Sequence, residues 1–588
     1  MRRLLRFWRE FARRYRGWYL LGIVCLVATN ALTVAIPTLV QHAIDALGDG
    51  EGFDGAWQWA VAIVLAGSSI IVVRTLSRTL FFNPGRTVEF RVKSALFERL
   101  LRLPRAFFDT MRPGDIISRG TNDANAMRAL IGYGSLQLFN VAFILLFTIG
   151  RMLQMDAELT LLCAGPLAVA GVIMRYGVIA LFRLQAQLLV QIATLSDRIL
   201  ESYSGVSVFQ AYNALPGAFR RFDAENDRLL DLSERYLTVR IIFMPVVIVI
   251  GRLCVVIVLY FGGLRVMEGE MTVGALSAFI AYVNILVAGL RSLGFLIGAT
   301  QRGYLALGRI YEILDAPIDR PAAEGALPSP GEAGHGIEVR DLTFTYPGAS
   351  APALRDLRFS IAPGETLGIF GLTGSGKSTL LNLLSRVYDP PPGTVTLGGV
   401  DIRHIPIQEY WGAVAYVGQE PFLFSRSLKE NIALAHRAEE ADATRLEGAI
   451  ADAALAVDLG AFPHGLDTVV GERGMTVSGG QRQRTAIARA FYRDFDVLLL
   501  DDVMSAVDHA TERKLIEAMY RRTARGTTVV VSHRISVLAK ADRVIVLDEG
   551  RVVAEGPHAT LLEGDGPYAR AWRLQQEIER METEAGRG

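Results

Sequence analysis

The chain has 588 residues, which is too long for a single hydrophobic core and predicts two or more domains. Hydrophobic residues make up 51% of it, and the mean hydropathy of +0.30 is high for a soluble protein. The 61 basic and 60 acidic side chains nearly cancel, which argues against a nucleic-acid partner. Cys25, Cys163 and Cys254 lie in apolar stretches at unrelated spacings, so they are interpreted as small buried hydrophobes rather than as disulfide or metal ligands.

The apolar residues are concentrated in the first half of the chain, in windows long enough to cross a bilayer. A transmembrane helix needs about 20 predominantly apolar residues. Six windows meet that requirement: 19–40, 57–80, 136–155, 159–181, 241–266 and 273–297. The arginines that interrupt or flank them are Arg74, Arg175, Arg252 and Arg291. They are interpreted as snorkelling side chains or, alternatively, as a polar lining of a central cavity, for which Arg252 is the best candidate.

The charges around the first window predict its orientation. Seven arginines precede it: Arg2, Arg3, Arg6, Arg9, Arg13, Arg14 and Arg16. The loop after it carries only acidic charges: Asp45, Asp49, Glu51 and Asp54. Because basic residues favour the inner side of a membrane, the N-terminus is expected in the cytoplasm, and six spans return the chain there. The basic stretch also contains apolar residues, which favours an amphipathic helix on the inner surface over a cleaved signal peptide.

Two long polar segments, 82–130 and 182–240, separate the apolar windows. Their helical periodicity predicts that the spans extend into the cytoplasm as helices. The loops on the other side are short, so this predicts a membrane domain with extensions on the inner side only.

A stretch rich in Pro, Gly and Ala at 317–336 predicts a linker, after which β-rich and helical segments alternate. The predicted organisation is therefore a helical membrane domain at 1–316, an α/β domain at 337–575 and a short tail at 576–588.

A glycine-rich loop stands between a predicted strand, Glu365 to Phe370, and a helical run that reaches Leu384. Strand, glycine loop and helix in this order are the context that a P-loop requires. Backbone N–H groups of such a loop and the positive helix N-terminus bind phosphates. Lys377 is expected to pair with the β- and γ-phosphates of ATP, and the hydroxyl of Ser378 to ligate Mg²⁺. The predicted phosphate-binding residues are Gly371, Thr373, Gly374, Ser375, Gly376, Lys377, Ser378 and Thr379.

Further motifs follow the P-loop in a fixed order: Gln419, Val477-Ser478-Gly479-Gly480-Gln481, Asp501, Ser505-Ala506-Val507-Asp508 and His533. This ordered set resembles the ATP-binding cassette (ABC) family. Six spans before one cassette are similar to the exporter half-transporters of that family, in particular the bacterial multidrug and lipid exporters. The resemblance covers essentially the whole chain and implies a helical membrane domain followed by an α/β P-loop ATPase domain.

The resemblance also implies roles for single residues. Tyr346 would stack on adenine, and His533 would reach the γ-phosphate. Gln419 would sense both Mg²⁺ and the attacking water. Asp501 would join Ser378 and Gln419 at the metal.

The signature residues are expected to act on ATP that a second cassette holds. Ser478, Gly479, Gly480 and Gln481 open a helix whose N-terminus would face that ATP's γ-phosphate. Val477 replaces the family's usual leucine and keeps an apolar anchor. Two cassettes are therefore required, whereas one chain supplies one.

Asp502 stands where the family has a glutamate that positions or activates the hydrolytic water. Its carboxylate is set back by one C–C bond, about 1.5 Å, and a misplacement of 1 Å can cost roughly 10²-fold in rate. With His533 and Gln419, Asp502 completes the predicted catalytic residues. The site on this chain's own P-loop is thus expected to bind ATP and hydrolyse it slowly. That resembles the degenerate site of heterodimeric bacterial exporters; a homodimer with two slow sites is the alternative.

The leading functional hypothesis is ATP-driven export of amphiphilic drugs, lipids or peptides by alternating access, from a bacterial cytoplasmic membrane with the ATPase domain inside. The expected partners are a second half-transporter, the bilayer and the cargo. Alternatives are a homodimeric exporter or lipid flippase, an importer on an exporter-like fold, and a non-transport role as a channel or regulatory ATPase. The candidate cavity residues are equally well explained as polar residues in helix packing: Asn30, Asn140, Arg175, Arg252 and Asn284.

Overall fold

The computed structural model describes residues 2–49, 52–318, 325–329, 335–434, 441–460, 462–471, 477–504, 509–523 and 526–585. The chain divides into two compact units. The first consists of Met1–Leu103 with Met111–Ala316, and the second of Pro104–Thr110 with Pro317–Gly588.

In the described residues of the first half of the chain, every regular element is a helix. Its helices are α1 (Arg2–Phe7), α2 (Arg16–Gly48), α3 (Gly52–Arg102), α4 (Arg105–Thr110), α5 (Pro113–Ser118), α6 (Ala124–Ala129), α7 (Ser135–Met155), α8 (Ala157–Ser204), α9 (Val206–Ala211), α10 (Leu215–Ile257), α11 (Gly263–Met267) and α12 (Val273–Leu314). Short π or 3₁₀ segments lie at Trp8–Ala12, Arg13–Tyr15, Arg119–Asp123, Leu130–Gly134 and Val258–Gly262.

Within the described residues, six helical stretches are long and apolar enough to cross a membrane: Arg3–Gly48, Phe53–Arg102, Pro113–Met155, Ala157–Ser204, Leu215–Met267 and Val273–Leu290. This confirms the six predicted spans. The polar segments between them are helical as expected. At 1.5 Å per residue, the 48 residues of α8 extend about 72 Å, more than twice the roughly 30 Å of hydrocarbon that a span must cross.

Apolar packing inside the first unit includes two of the cysteines. Cys163 and Cys254 are fully buried beside Phe279 and Tyr282. Cys25 is buried as well, and all three are free thiols. The interpretation of the cysteines as small buried hydrophobes is therefore confirmed.

The polar residues proposed for a cavity differ in their surroundings. Asn30 donates to the side-chain oxygen of Asn140 at 3.2 Å and to the carbonyl of Leu26 at 2.8 Å, so this pair is explained by helix packing. The side chains of Arg175 and Arg252 are exposed within the chain.

The second unit contains two sheets. Its described strands are β1 (Ile337–Phe344), β2 (Leu354–Ile361), β3 (Thr366–Gly371), β4 (Val395–Leu397), β5 (Val400–Asp401), β6 (Val414–Val417), β7 (Val497–Asp501), β8 (Thr527–Val531), β9 (Arg543–Asp548) and β10 (Arg551–Gly556). Across those residues the smaller sheet has the order β2-β1-β4-β5 and is antiparallel, and the larger has the order β10-β9-β3-β8-β7-β6. The larger sheet is parallel apart from β10.

Helices surround these sheets, so the predicted α/β fold is confirmed. They are α13 (Lys377–Leu384), α14 (Ile407–Ala413), α15 (Leu428–Ile432), α16 (Ala443–Asp452), α17 (Ala456–Leu459), α18 (Gly479–Tyr492), α19 (His509–Thr523), α20 (Ile535–Leu538), α21 (His558–Leu562) and α22 (Pro567–Ala585). Strands β3, β7 and β8 are buried along their whole length, which explains why they read as continuous apolar runs rather than as alternating patterns.

The register of three neighbouring parallel strands brings distant motifs to one edge of the larger sheet. Val531 of β8 pairs with Asp501 of β7 on one side and with Ile369 of β3 on the other. The P-loop after β3, the acidic pair at the end of β7 and His533 after β8 therefore lie at the same carboxyl edge, where open α/β sheets bind ligands.

The second unit also includes α4, which comes from between two membrane-spanning helices in the sequence. The hydroxyl of Tyr388 is hydrogen-bonded to the carboxylate of Asp109 in α4. The ring of Tyr388 makes edge contacts with Tyr346 and Phe344, at centroid distances of 5.1 and 6.1 Å.

Candidate active site

The P-loop owes its shape to three glycines. Gly374 and Gly376 have φ angles of +87° and +100°, a region that L side chains rarely adopt. A Cβ on Gly371 would lie 2.5 Å from the carbonyl oxygen of Leu547. The loop can therefore close tightly only with glycine at these positions.

Replacing Gly371 with alanine is expected to destabilise the cassette by about 1–3 kcal/mol, because the new methyl group forces the P-loop away from β9. ATP affinity is expected to fall with it. Thermal melting and nucleotide titration of the purified protein would measure both effects. Gly412→Ala is the matched control, since nothing lies within 4 Å of its added methyl group. An equal loss from both variants would contradict the packing argument.

Lys377 turns back onto its own loop. Its ammonium group donates to the carbonyl oxygens of Gly371 at 2.7 Å and of Leu372 at 2.8 Å. Burial lowers the pKa of Lys377, although the nearby carboxylates of Asp501 and Asp502 act in the opposite direction. Two neutral carbonyls are weaker partners for this cation than phosphate oxygens would be.

Asp501 and Ser378 line the same cavity. Asp501 ends β7 with 3% of its surface exposed, and burial raises the pKa of its carboxyl group. The hydroxyl of Ser378, which lines the same cavity, acts to lower that pKa. Gln419, in the loop after β6, lines the same cavity. These three oxygen donors suit Mg²⁺, which is usually held by one or two carboxylates and substrate phosphates. In the described part of the chain, no group of three or more His, Cys, Asp or Glu residues could hold a metal instead.

A cavity of about 710 Å³ joins the predicted residues. Its lining includes most of the P-loop, Gln419, Asp501, Asp502 and His533. The side chain of Ser375 is not in that lining; its hydroxyl is buried and has no hydrogen-bond partner among the described residues. Tyr346 lines the adjoining cavity, and its hydroxyl donates to Thr379 at 3.2 Å.

Asp502 and His533 form a contact that joins the ends of two strands. Nδ1 of His533 lies 2.9 Å from Oδ2 of Asp502, in hydrogen-bond geometry. The same nitrogen lies 2.9 Å from Oδ1, which is buried and is not in hydrogen-bond geometry with any described residue. The backbone of Asp502 is left-handed, with a φ of +49°, and its N–H donates to Val531. The hydrogen bond from His533 to Asp502 raises the pKa of the imidazole above its usual value.

The Asp502–His533 contact should stabilise the folded chain more at low pH than at high pH. Below about pH 6.5, the ordinary imidazole pKa, His533 is protonated in both folded and unfolded chains, so the attraction is fully present. It is lost as pH rises through the raised pKa of the folded state. Asp502→Asn should therefore lower the melting temperature more near pH 6 than at pH 8. Because His533 is 54% exposed, the pH-dependent part should stay below about 1 kcal/mol.

Melting curves at several pH values would test this dependence. Asp341→Asn is a suitable control, because Asp341 is exposed and shares the left-handed backbone of Asp502. A difference between wild type and Asp502→Asn that is the same at all pH values would contradict the assignment.

The signature motif caps a helix away from this cavity. The Ser478 hydroxyl accepts from the N–H of Gln481 at 3.2 Å, and the Gln481 side chain accepts from the N–H of Ser478 at 3.0 Å. This capping box fixes the N-terminus of α18, where Gly479 and Gly480 offer backbone N–H groups. Arg484 braces the helix through two 2.8 Å hydrogen bonds to Asp458.

The structure thus brings the P-loop, Gln419, Asp501, Asp502 and His533 together, but it does not bring the signature residues to them. Ser478, Gly479, Gly480 and Gln481 do not line the P-loop cavity. The segment 505–508, which is one of the motifs predicted after the P-loop, lies outside the described residues. The roles of all these residues stay predictions.

Sequence reasoning missed the contribution of α22. Ala571, Leu574 and Gln575 line the same cavity as the P-loop. Their amphipathic helix could be recognised from its periodicity, but nothing in the sequence indicates which surface its inner face contacts. The helix continues without interruption past residue 575, the predicted end of the α/β domain, into the segment 576–588 that the sequence analysis described as a tail.

Together, the P-loop geometry, the buried Asp501 beside Ser378 in one cavity and the capped signature helix define the class of this unit as a P-loop nucleotide-binding cassette. Two family models match the chain: "ABC transporter transmembrane region" at residues 19–290 and "ABC transporter" at residues 354–505. The chain belongs to the ABC transporter family.

Full-length relatives support this membership. The chain is 32% identical to the probable multidrug resistance ABC transporter ATP-binding/permease protein YheI of Bacillus subtilis, over 98% of each chain. It is 31% identical to the ATP-dependent lipid A-core flippase of Thiobacillus denitrificans, over 97% of this chain and 96% of that protein.

A solved structure shares the fold. The structure of a bacterial Atm1-family ABC exporter with ATP bound superimposes with a TM-score of 0.80 and 25% identity, covering 95% of this chain and 98% of the other. The protein is therefore a multi-pass membrane protein of the ABC exporter type, with the domain arrangement of a half-transporter. Its enzymatic activity is ATP hydrolysis coupled to transport.

Proposed function

We propose that this chain is one half of an exporter that moves amphiphilic drugs, lipids or peptides out through a bacterial cytoplasmic membrane by alternating access. Its N-terminus and cassette would lie in the cytoplasm, as the basic N-terminal segment indicates. The relatives named for multidrug resistance and for lipid A-core flipping support an amphiphilic cargo. The observation that carries the ATP-driven part is the convergence of Lys377, Ser378, Asp501 and His533 on one cavity.

ATP would bind through side chains that already line the two adjoining cavities. Lys377 would exchange the carbonyls of Gly371 and Leu372 for phosphate oxygens. Tyr346 would stack on adenine beside the P-loop. Mg²⁺, held by Ser378, Asp501 and Gln419, would neutralise phosphate charge.

The aspartate at position 502, where the family has a glutamate, supports the proposal that the chain assembles with a different half-transporter. His533 contacts both oxygens of the short Asp502 carboxylate, which leaves little reach toward a hydrolytic water. Since Asp502 engages Nδ1, the Nε2 of His533 is left to donate to the γ-phosphate. The intact cap at Ser478 suits a second role, completing a site on a partner that carries the catalytic glutamate. A homodimeric lipid flippase is equally compatible with the relatives and is the second candidate.

The two assemblies can be separated by ATPase measurements in liposomes on the chain alone and on the chain together with a half-transporter of the same organism that carries the catalytic glutamate. The heterodimer hypothesis expects slow hydrolysis by the chain alone and fast hydrolysis by the pair. Within the pair, Ser478→Arg should remove most of the activity, because it damages the partner's fast site, whereas Asp502→Asn should remove little. Full ATPase activity of the chain alone would establish the homodimer instead. In that case Ser478→Arg and Asp502→Asn should lower the activity of the chain alone by equal amounts. Transport direction in sealed vesicles would distinguish export from import.

A further inference from the structure

The side chain of Gln575, in α22, is hydrogen-bonded to the backbone of the segment that carries His533. Its side-chain oxygen accepts from the N–H of Ile535 at 3.0 Å, and its side-chain nitrogen donates to the carbonyl of His533 at 2.8 Å. One amide group thus satisfies a donor and an acceptor only two residues apart. Such a pair of hydrogen bonds fixes the position and the orientation of the peptide segment between them.

The segment that Gln575 holds has little support of its own. Helix α20 begins at Ile535 and has only four residues, so the N–H of Ile535 has no partner within that helix. Side-chain hydrogen bonds are the usual way to satisfy such groups at a helix start. In this chain the partner comes from a helix forty residues further along the sequence.

Helix α22 is itself anchored to the core. Tyr568 is 1% exposed, and its ring packs edge-on against Phe370 of β3 at 5.3 Å between centroids. The Tyr568 hydroxyl lies 2.8 Å from Nδ1 of His558. Gln575 follows Tyr568 by about two helical turns and so lies on the same face. The position of the Gln575 amide is therefore fixed by the packing of α22 on β3.

His533 is consequently held at two points. Asp502 contacts its imidazole, and Gln575 contacts its main-chain carbonyl. We infer that Gln575 is a positioning residue for His533: it fixes the backbone from which the imidazole reaches the γ-phosphate of ATP. The inference rests on the γ-phosphate contact assigned to His533 in the proposed function.

The test compares ATP with ADP, because ADP has no γ-phosphate. In the assembled transporter, Gln575→Met keeps the side-chain length and removes both hydrogen bonds. It is expected to weaken ATP binding at this chain's site roughly 5- to 10-fold, while ADP affinity changes less than about twofold. Competition of ATP or ADP against photolabelling of this chain by azido-ATP would measure both affinities. Gln576→Met is the matched control, since Gln576 is the next residue of α22 and is exposed.

Two further variants address alternative explanations. Gln575→Glu retains the acceptor for Ile535 and loses the donor to His533, so an intermediate loss of ATP affinity is expected. Gln575→Met combined with His533→Ala should lose no more ATP affinity than His533→Ala alone, because both act through one imidazole. Equal losses for ATP and ADP, additive losses, or no loss from Gln575→Met would overturn the inference. If His533→Ala itself leaves ATP affinity unchanged, the proposed role of His533 fails, and the inference fails with it.

Discussion

Replacing Asp502 with glutamate is expected to raise ATP turnover at the site on this chain's P-loop by roughly 10²-fold. Nδ1 of His533 lies 2.9 Å from both oxygens of the aspartate carboxylate, in hydrogen-bond geometry at Oδ2, and Oδ1 is buried. One more methylene group would carry the carboxylate about 1.5 Å further, to where a general base can reach the attacking water.

The same substitution should slightly destabilise the cassette. Asp502 has a left-handed backbone, which aspartate adopts more readily than glutamate because its short side chain bonds locally. The expected cost is about 1 kcal/mol. Faster hydrolysis by a less stable protein would be difficult to explain by a general improvement in folding.

Turnover at this site is measured best in an assembled transporter whose partner has lost its own catalytic carboxylate. Asp341→Glu is the matched control, because Asp341 is exposed and has a φ of +50°, so it should show the backbone cost without any gain in rate. Unchanged turnover of Asp502→Glu in a verified dimer would contradict the reach argument.

Lys377→Met is expected to lower ATP affinity at the same site at least about 30-fold, since truncating one partner of a buried charge pair costs about 2–5 kcal/mol. The loss has two causes. The phosphates lose their cation, and the carbonyls of Gly371 and Leu372 lose the ammonium group that organises the loop before ATP arrives.

Photolabelling of the chain with azido-ATP would measure the loss. Lys540→Met provides the control, because Lys540 belongs to the same unit and is exposed. A titration curve that is unchanged in Lys377→Met would remove Lys377 from the phosphate site.

The sequence predicts those parts of the fold whose signals are local. Six apolar windows were long enough to be recognised singly, and the order of strand, glycine loop and helix around Lys377 identifies the P-loop without any knowledge of the rest. The buried strands β7 and β8 could likewise be read from unbroken apolar runs.

Contacts that depend on register and docking could not be predicted. The pairing of Asp502 with His533 requires that β7 and β8 be neighbours with Asp501 opposite Val531. The contact of Gln575 with the His533 backbone depends on how α22 docks on β3. The composition of the predicted linker also gives no sign that His335 is buried. Its side chain is 2% exposed and is hydrogen-bonded to the carbonyl of Pro328.

Helix α4 shows that the boundary of the second folding unit is not a single point in the chain. A fragment that starts at Pro317 would omit Asp109, which is the hydrogen-bond partner of the Tyr388 hydroxyl. Burial and that contact raise the pKa of Tyr388 to about 12. In the fragment the Tyr388 hydroxyl would be more exposed to water and its pKa would be lower, beside the Tyr346 ring that we propose stacks on adenine. Nucleotide affinities measured on an excised cassette would therefore describe an altered surrounding of the proposed adenine contact, and the full chain is the appropriate material for such titrations.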